Sequence, residues 1–177
     1  MQFDFNRNHF ELFGLVPGFA LDSAALEQAY RALQSQVHPD KFTHLSAAEQ
    51  RASMQWSTRV NEAYQALKSP LNRAQYLLQL QGIDALAERD TAMPGDFLMQ
   101  QMEWREGMQE AREAADVAAL QTIEAEITDT AQQLRAVLAR QLDEQHDYLG
   151  AAQSVRKLKF MDKLVVEIHD TYEALET

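Results

Sequence analysis

Nearly all of the four prolines and six glycines in this 177-residue chain fall at breaks between segments whose apolar residues recur at helical spacing. That spacing marks an α-helix with one face buried. No stretch alternates apolar and polar residues as a half-buried strand does, and no internal repeat is found. The pattern predicts an all-α fold. A short helix is expected from Asn8 to Phe13, followed by a turn at Gly14-Leu15-Val16-Pro17-Gly18. Asp22 or Ser23 caps a second helix, in which Leu26, Tyr30, Leu33 and Val37 share a face. Pro39 ends it, because a proline disfavours helical geometry at the residue before it. Ser46-Ala47-Ala48-Glu49 forms a capping box for a third helix through Met54, Val60, Ala63, Tyr64 and Leu67. Ser69-Pro70 supplies a cap and a first-turn proline for a fourth, which Gly82 stops.

Residues 83–95 carry breakers and caps with little apolar periodicity. Three longer helical patterns follow, at about 97–114, 117–143 and 147–175, with Asp116 placed to cap the middle one. The last carries Ala151, Val155, Leu158, Val165, Ile168, Tyr172 and Leu175 along one stripe. The expected organisation is a module over 1–78 built on an antiparallel helical hairpin, a linker over 79–95, and a three-helix bundle over 96–177.

The composition, 46% hydrophobic and 24% charged, suits a chain that buries a core. Apolar runs are too short for a transmembrane span. The start, Met1-Gln2-Phe3-Asp4, lacks the basic and apolar regions of a secretory signal. A cytoplasmic protein with no membrane partner is expected. The lack of cysteine excludes disulfides, thiolate catalysis and thiolate metal ligation. Residues 1–75 hold seven acids and seven bases; the remainder holds 27 − 7 = 20 acids and 16 − 7 = 9 bases, a net of −11. An acidic second half argues against a nucleic-acid partner. The asymmetry fits two modules with different partners, or acids that only keep a helical bundle soluble.

His38-Pro39-Asp40 lies between two helices. The proline restricts the backbone, so the loop loses less entropy on docking. Asp40 offers an acceptor for a partner arginine, and His38 a donor or acceptor beside it. The triplet follows Tyr30-Arg31-Ala32-Leu33 and leads into Lys41-Phe42. Downstream stand Val60-Asn61-Glu62-Ala63-Tyr64-Gln65-Ala66-Leu67 and Arg73-Ala74-Gln75-Tyr76. In that order these segments resemble a J-domain.

In the segment from Phe97, a rotation of 100° per residue puts Phe97, Trp104, Met108 and Ala111 on one face. Leu98, Met99 and Met102 point away from it, as do Glu103, Glu106 and Glu110. Phe160 also lies off the main stripe of its helix. An apolar cluster edged by carboxylates is the pattern of an interaction patch. A bundle with a wide buried arc would instead take Leu98 and Met102 into its core. Gly107 is unexpected in a helix interior, where it costs about 1 kcal/mol relative to alanine.

Leu12-Phe13-Gly14-Leu15, His38-Pro39-Asp40-Lys41-Phe42, Arg73-Ala74-Gln75-Tyr76-Leu77-Leu78, Phe97-Leu98-Met99 and the run from Val155 to Leu164 resemble the HscB family, J-domain co-chaperones of iron–sulfur cluster assembly. The resemblance spans both halves. It implies a first module that stimulates ATP hydrolysis by a specialised DnaK-type chaperone, HscA, through Arg31, His38, Pro39, Asp40 and Lys41. It implies a second module that binds the cluster scaffold IscU through Leu98, Met99, Met102, Glu103, Glu106, Glu110 and Phe160. The second helix departs from many J-domains: Arg31 is followed by Gln34, Ser35 and Gln36, so electrostatic steering is weaker. A general J-domain co-chaperone with another client is the alternative.

No enzymatic activity is expected. There is no glycine-rich phosphate loop, and Glu124 and Glu126, two apart on a helix, do not face each other. His38 and His44 lack further ligands, so neither a metal nor a cofactor is expected. Arg156, Lys157, Lys159 and Lys163 form a basic run in the acidic half, suited to salt bridges with neighbouring helices or to a partner contact.

Overall fold

A computed structural model describes residues 4, 6–37, 46–87 and 93–175. His38, Pro39, Asp40, Lys41 and His44 lie outside the described residues. The fold is all-α: α1 (His9–Leu12), α2 (Ser23–Val37), α3 (Ala47–Lys68), α4 (Pro70–Leu80), α5 (Gly95–Glu113), α6 (Val117–Arg140) and α7 (Tyr148–Leu175), with a π-helical turn at Gln141–Gln145. The chain divides into two compact units, Met1–Leu77 and Leu78–Thr177.

Local chemistry sets the ends of the first unit's helices. Asn8 and Glu11 form a capping box, each side chain accepting from the other's backbone N–H at 2.9 and 2.8 Å. The chain leaves α1 through a left-handed Gly14 (φ 66°), while Leu15 N–H donates to Phe10 O at 2.9 Å. Between the two candidate caps of α2 it is Asp22 that accepts, from the N–H groups of Ala24 and Ala25. Ser46 and Glu49 close the capping box of α3. Arg73, buried on α4, donates to Leu67 O at 2.7 Å, a carbonyl in the last turn of α3, and lies 5.3 Å from the Phe19 ring. Tyr76 stacks on His9 at 4.1 Å and accepts from its N–H at 3.0 Å.

The core of this unit gathers Phe10, Leu12, Phe13, Leu26, Trp56, Val60, Ala63 and Leu67. On α3 the inner positions are Ser53, Trp56, Val60, Ala63 and Leu67. Met54 faces water, with 60% of its surface exposed. It sits one residue from Ser53, and one residue turns the helix by 100°, which takes it off the buried face.

The second unit is a three-helix bundle. Phe97, Trp104, Met108 and Ala111 of α5 meet Leu120, Ile127, Ala131 and Leu138 of α6 and a wide face of α7 from Ala151 to Ile168. Met161 and Leu164 occupy the inner positions of α7, while Val165 is only half-buried. A helix packed against two others buries a broader arc than a single stripe describes. Gly107 has a packing reason: a Cβ there would stand 3.0 Å from Ile123 Cδ1 of α6. Between α5 and α6, Asp116 N–H donates to Ala111 O at 2.8 Å and Ala115 adopts a left-handed φ of 51°. Asp116 then caps α6 by accepting from Ala119 N–H at 3.0 Å.

Between α6 and α7, Gln141 Oε1 accepts from the buried Ser154 Oγ at 2.8 Å. Asp147 accepts from Gly150 N–H at 3.0 Å, capping α7. A Cβ on residue 150 would lie 2.1 Å from Asp147 Oδ2, so only glycine fits while the cap is in place.

Candidate functional site

In the first unit, α2 and α3 are joined at Tyr30 by polar and aromatic contacts as well as by the core. The rings of Tyr30 and Tyr64 stack at 4.0 Å. Tyr30 O–H donates to Asn61 Oδ1 and accepts from Gln34 Nε2, both at 3.0 Å. Lys68 Nζ lies 5.5 Å from the Tyr64 ring. This clamp holds together the pair of helices that residues 38–45 connect. The part played by Asn61 depends on pairing across the hairpin, which sequence spacing does not register, whereas Gln34 supports Tyr30 from one turn along α2. Arg31 is exposed and ion-paired with Glu27 one turn earlier. Such an exposed pair contributes at most about 1 kcal/mol and leaves the guanidinium at the surface.

In the second unit the two faces of α5 are sharply different. Phe97, Trp104, Met108 and Ala111 are 3–8% exposed. Leu98, Met99 and Met102 are 46%, 65% and 71% exposed, and Glu103, Glu106 and Glu110 are exposed beside them. Of the two readings that periodicity allowed, the structure excludes burial in the core. Phe160 is half-buried and meets α5 through Phe97, edge-on at 6.1 Å, and through the Arg105 guanidinium, 5.4 Å from its ring. Arg105 is held in turn by Glu167 of α7 at 3.1 Å. Phe97 also has the Lys157 ammonium 5.2 Å from its ring. The sequence singled out neither Arg105 nor Glu167, whose pairing joins residues far apart in the chain.

Three large apolar side chains between positions 98 and 102, left in water and flanked by carboxylates, form a surface that gains from burial at roughly 25 cal/mol per Å². Among the described residues, no cluster of histidine and acidic side chains is arranged to hold a metal ion, and no helix is long and apolar enough to cross a membrane.

Comparison with known proteins places both units. The DnaJ domain model matches residues 8–76, and the model described as the HSCB C-terminal oligomerisation domain matches residues 93–169. A co-chaperone protein HscB homolog of Aromatoleum aromaticum is 50% identical over 177 residues, all of both chains. Another, from an Azoarcus species, is 48% identical over 176 residues, 99% of each chain. The structure is similar to that of chaperone HscB from Vibrio cholerae, with a TM-score of 0.83, 40% identity, and coverage of 96% of this chain and 99% of that one. It is also similar to human co-chaperone HscB, with a TM-score of 0.84, 31% identity, and coverage of 94% and 82%. With a J-domain first and an HscB-type bundle second, over the whole length of relatives that share half its residues, this chain belongs to the HscB family of co-chaperones.

Proposed function

We propose that the protein carries an iron–sulfur cluster scaffold of the IscU type to a DnaK-type chaperone of the HscA type in the cytoplasm, and stimulates ATP hydrolysis by that chaperone. The observation that carries this reading is the exposure of Leu98, Met99 and Met102 on a helix whose opposite face is closed in the core. The relatives it matches are named co-chaperones, and an exposed apolar surface on such a protein suits the docking of a client.

The scaffold docks on the outer face of α5, where Leu98, Met99 and Met102 lose water and Glu103, Glu106 and Glu110 meet cationic groups at the rim. Phe160 supplies an aromatic anchor from α7. The J-domain, taken as residues 1–78, and the bundle, residues 96–177, are joined by 79–95. Holding scaffold on one module raises its effective concentration at a chaperone engaged by the other. Asp40 pairs with a chaperone arginine, His38 hydrogen-bonds beside it, and Arg31 and Lys41 add weak attraction. The loop stimulates hydrolysis by binding the hydrolysis-competent state of the chaperone more tightly than the other state. The cluster is cargo, and the co-chaperone contributes binding without a covalent step.

The test is an ATPase assay of an HscA-type chaperone with and without IscU-type scaffold. His38→Gln is expected to abolish stimulation while scaffold affinity is unchanged. Leu98→Ala with Met102→Ala is expected to keep basal stimulation and lose the synergy with scaffold. Full synergy from that double variant would overturn the assignment.

A further inference from the structure

Residues 76–177 hold nine basic residues against twenty acidic ones, and four of the nine, Arg156, Lys157, Lys159 and Lys163, stand within eight consecutive positions of α7. Two of the four serve the fold. Arg156 donates to Ala85 O at 3.3 Å, fixing the segment before α5 against α7, and Lys157 lies over Phe97. Lys159 and Lys163 are exposed and have no carboxylate partner among the described residues. With Arg156 they rim an open pocket of about 220 Å³ whose apolar walls include Leu86, Met93 and Phe160.

Phe160 therefore faces two regions. One side of its surroundings is α5, with Phe97 and Arg105; the other is this cationic pocket. Carboxylates run along the outer face of α5, and ammonium groups along the α7 side of the same aromatic residue. A surface graded in this way reads the direction in which a partner lies, because a partner laid down in reverse meets like charge at both ends. The cationic rim favours an anion. The net charge of −11 around it opposes an extended polyanion such as nucleic acid, whereas a short acidic segment meets only the local cations.

We propose that this pocket is a second docking point for the scaffold protein. It takes an acidic segment whose carboxylate meets Lys159 and Lys163 while an apolar neighbour packs on Leu86, Met93 and Phe160. The proposal rests on the bundle being the scaffold-binding module, and adds to it the residues that fix the orientation of the bound scaffold.

Titration calorimetry of the full chain with IscU-type scaffold, at about 0.05 and 0.3 M salt, tests it. Lys159→Gln with Lys163→Gln is expected to weaken binding about tenfold at the lower salt, to flatten its salt dependence, and to leave the thermal midpoint unchanged. Leu98→Ala with Met102→Ala is expected to weaken binding equally at both salts. If the glutamine pair binds as wild type while the alanine pair is impaired, the pocket proposal falls and the scaffold-binding role stands. Unchanged affinity with a lowered thermal midpoint would show that the two ammonium groups serve the fold, and overturns the pocket proposal too. Absence of scaffold binding by the wild-type chain overturns both readings.

Discussion

Phe160 of α7 meets Phe97 of α5 edge-on, with ring centroids 6.1 Å apart and planes at 81°. The contact makes a proposed docking residue part of the bundle's own packing. An edge-to-face pair adds about 0.5–1.5 kcal/mol beyond the area it buries. Phe160→Ala is therefore expected to lower the unfolding free energy by about 1–3 kcal/mol in urea. Leu98→Ala and Met102→Ala, at exposed positions, are expected to stay within about 0.5 kcal/mol of wild type. Equal losses at all three sites would mean that the outer face of α5 is packed in solution. The double variant at 98 and 102 is thus the cleaner probe of docking.

His9 titrates below the ordinary histidine value because burial removes water from the ring; Arg59 adds to the effect and Glu62 opposes it. The folded state therefore disfavours the protonated ring. The contribution of neutral His9 is fully present above pH 6.5, the ordinary value, and is lost as pH falls below it through the lower folded-state value. His9→Phe keeps an aromatic partner for Tyr76 and removes the titration. Denaturant midpoints measured between about pH 5 and 8 are expected to vary less in that variant than in wild type. An identical pH profile would exclude His9 as a source of the dependence.

Ala115 occupies the left-handed position that ends α5, where a Cβ costs about 1–2 kcal/mol. Glycine relieves that strain, offset in part by its greater freedom in the unfolded chain. Ala115→Gly is expected to raise stability by about 0.5–1 kcal/mol. A loss of stability in urea would contradict the left-handed assignment.

Gly107 and Ile123 should show energetic coupling. Alanine at 107 gains about 1 kcal/mol of helix propensity but brings a methyl to within 3.0 Å of Ile123 Cδ1. Ile123→Val removes that carbon. Gly107→Ala is expected to stabilise more when combined with Ile123→Val than in wild type, by about 0.5 kcal/mol or more in a double-mutant cycle. Strict additivity would show that α5 and α6 do not approach closely here.

Much of this architecture is written locally. The caps at Ser46 and Asp116 depend on residues within a turn of one another, so each can be read from the chain directly, whereas Asn8, expected inside the first helix, caps it instead. Periodicity likewise identifies the inner face of α5. It conveys the direction of a buried face more readily than its width. A single stripe omits Met161 and Leu164 of α7, which packs against two helices, and it groups Met54 with the core of α3 although Ser53 and Trp56 turn inward. The choice between patch and core at Leu98 and Met102 needs the measured exposure, because helical spacing permits either. By propensity alone Gly107 is a flaw, and its reason arrives with the neighbouring helix. The contact of Phe160 with Phe97, and the gathering of Lys159 and Lys163 around Leu86 and Met93, arise only when distant segments meet.

At Gly150 a single hydrogen stands where any other residue would bring carbon to within 2.1 Å of the Asp147 carboxylate. The 28 residues of α7 begin at that corner. A substitution there would evict the carboxylate and leave the first turn of α7 uncapped, a cost of about 1 kcal/mol, while the buried positions from Ala151 to Ile168 keep the aromatic and the lysines about three turns away in place.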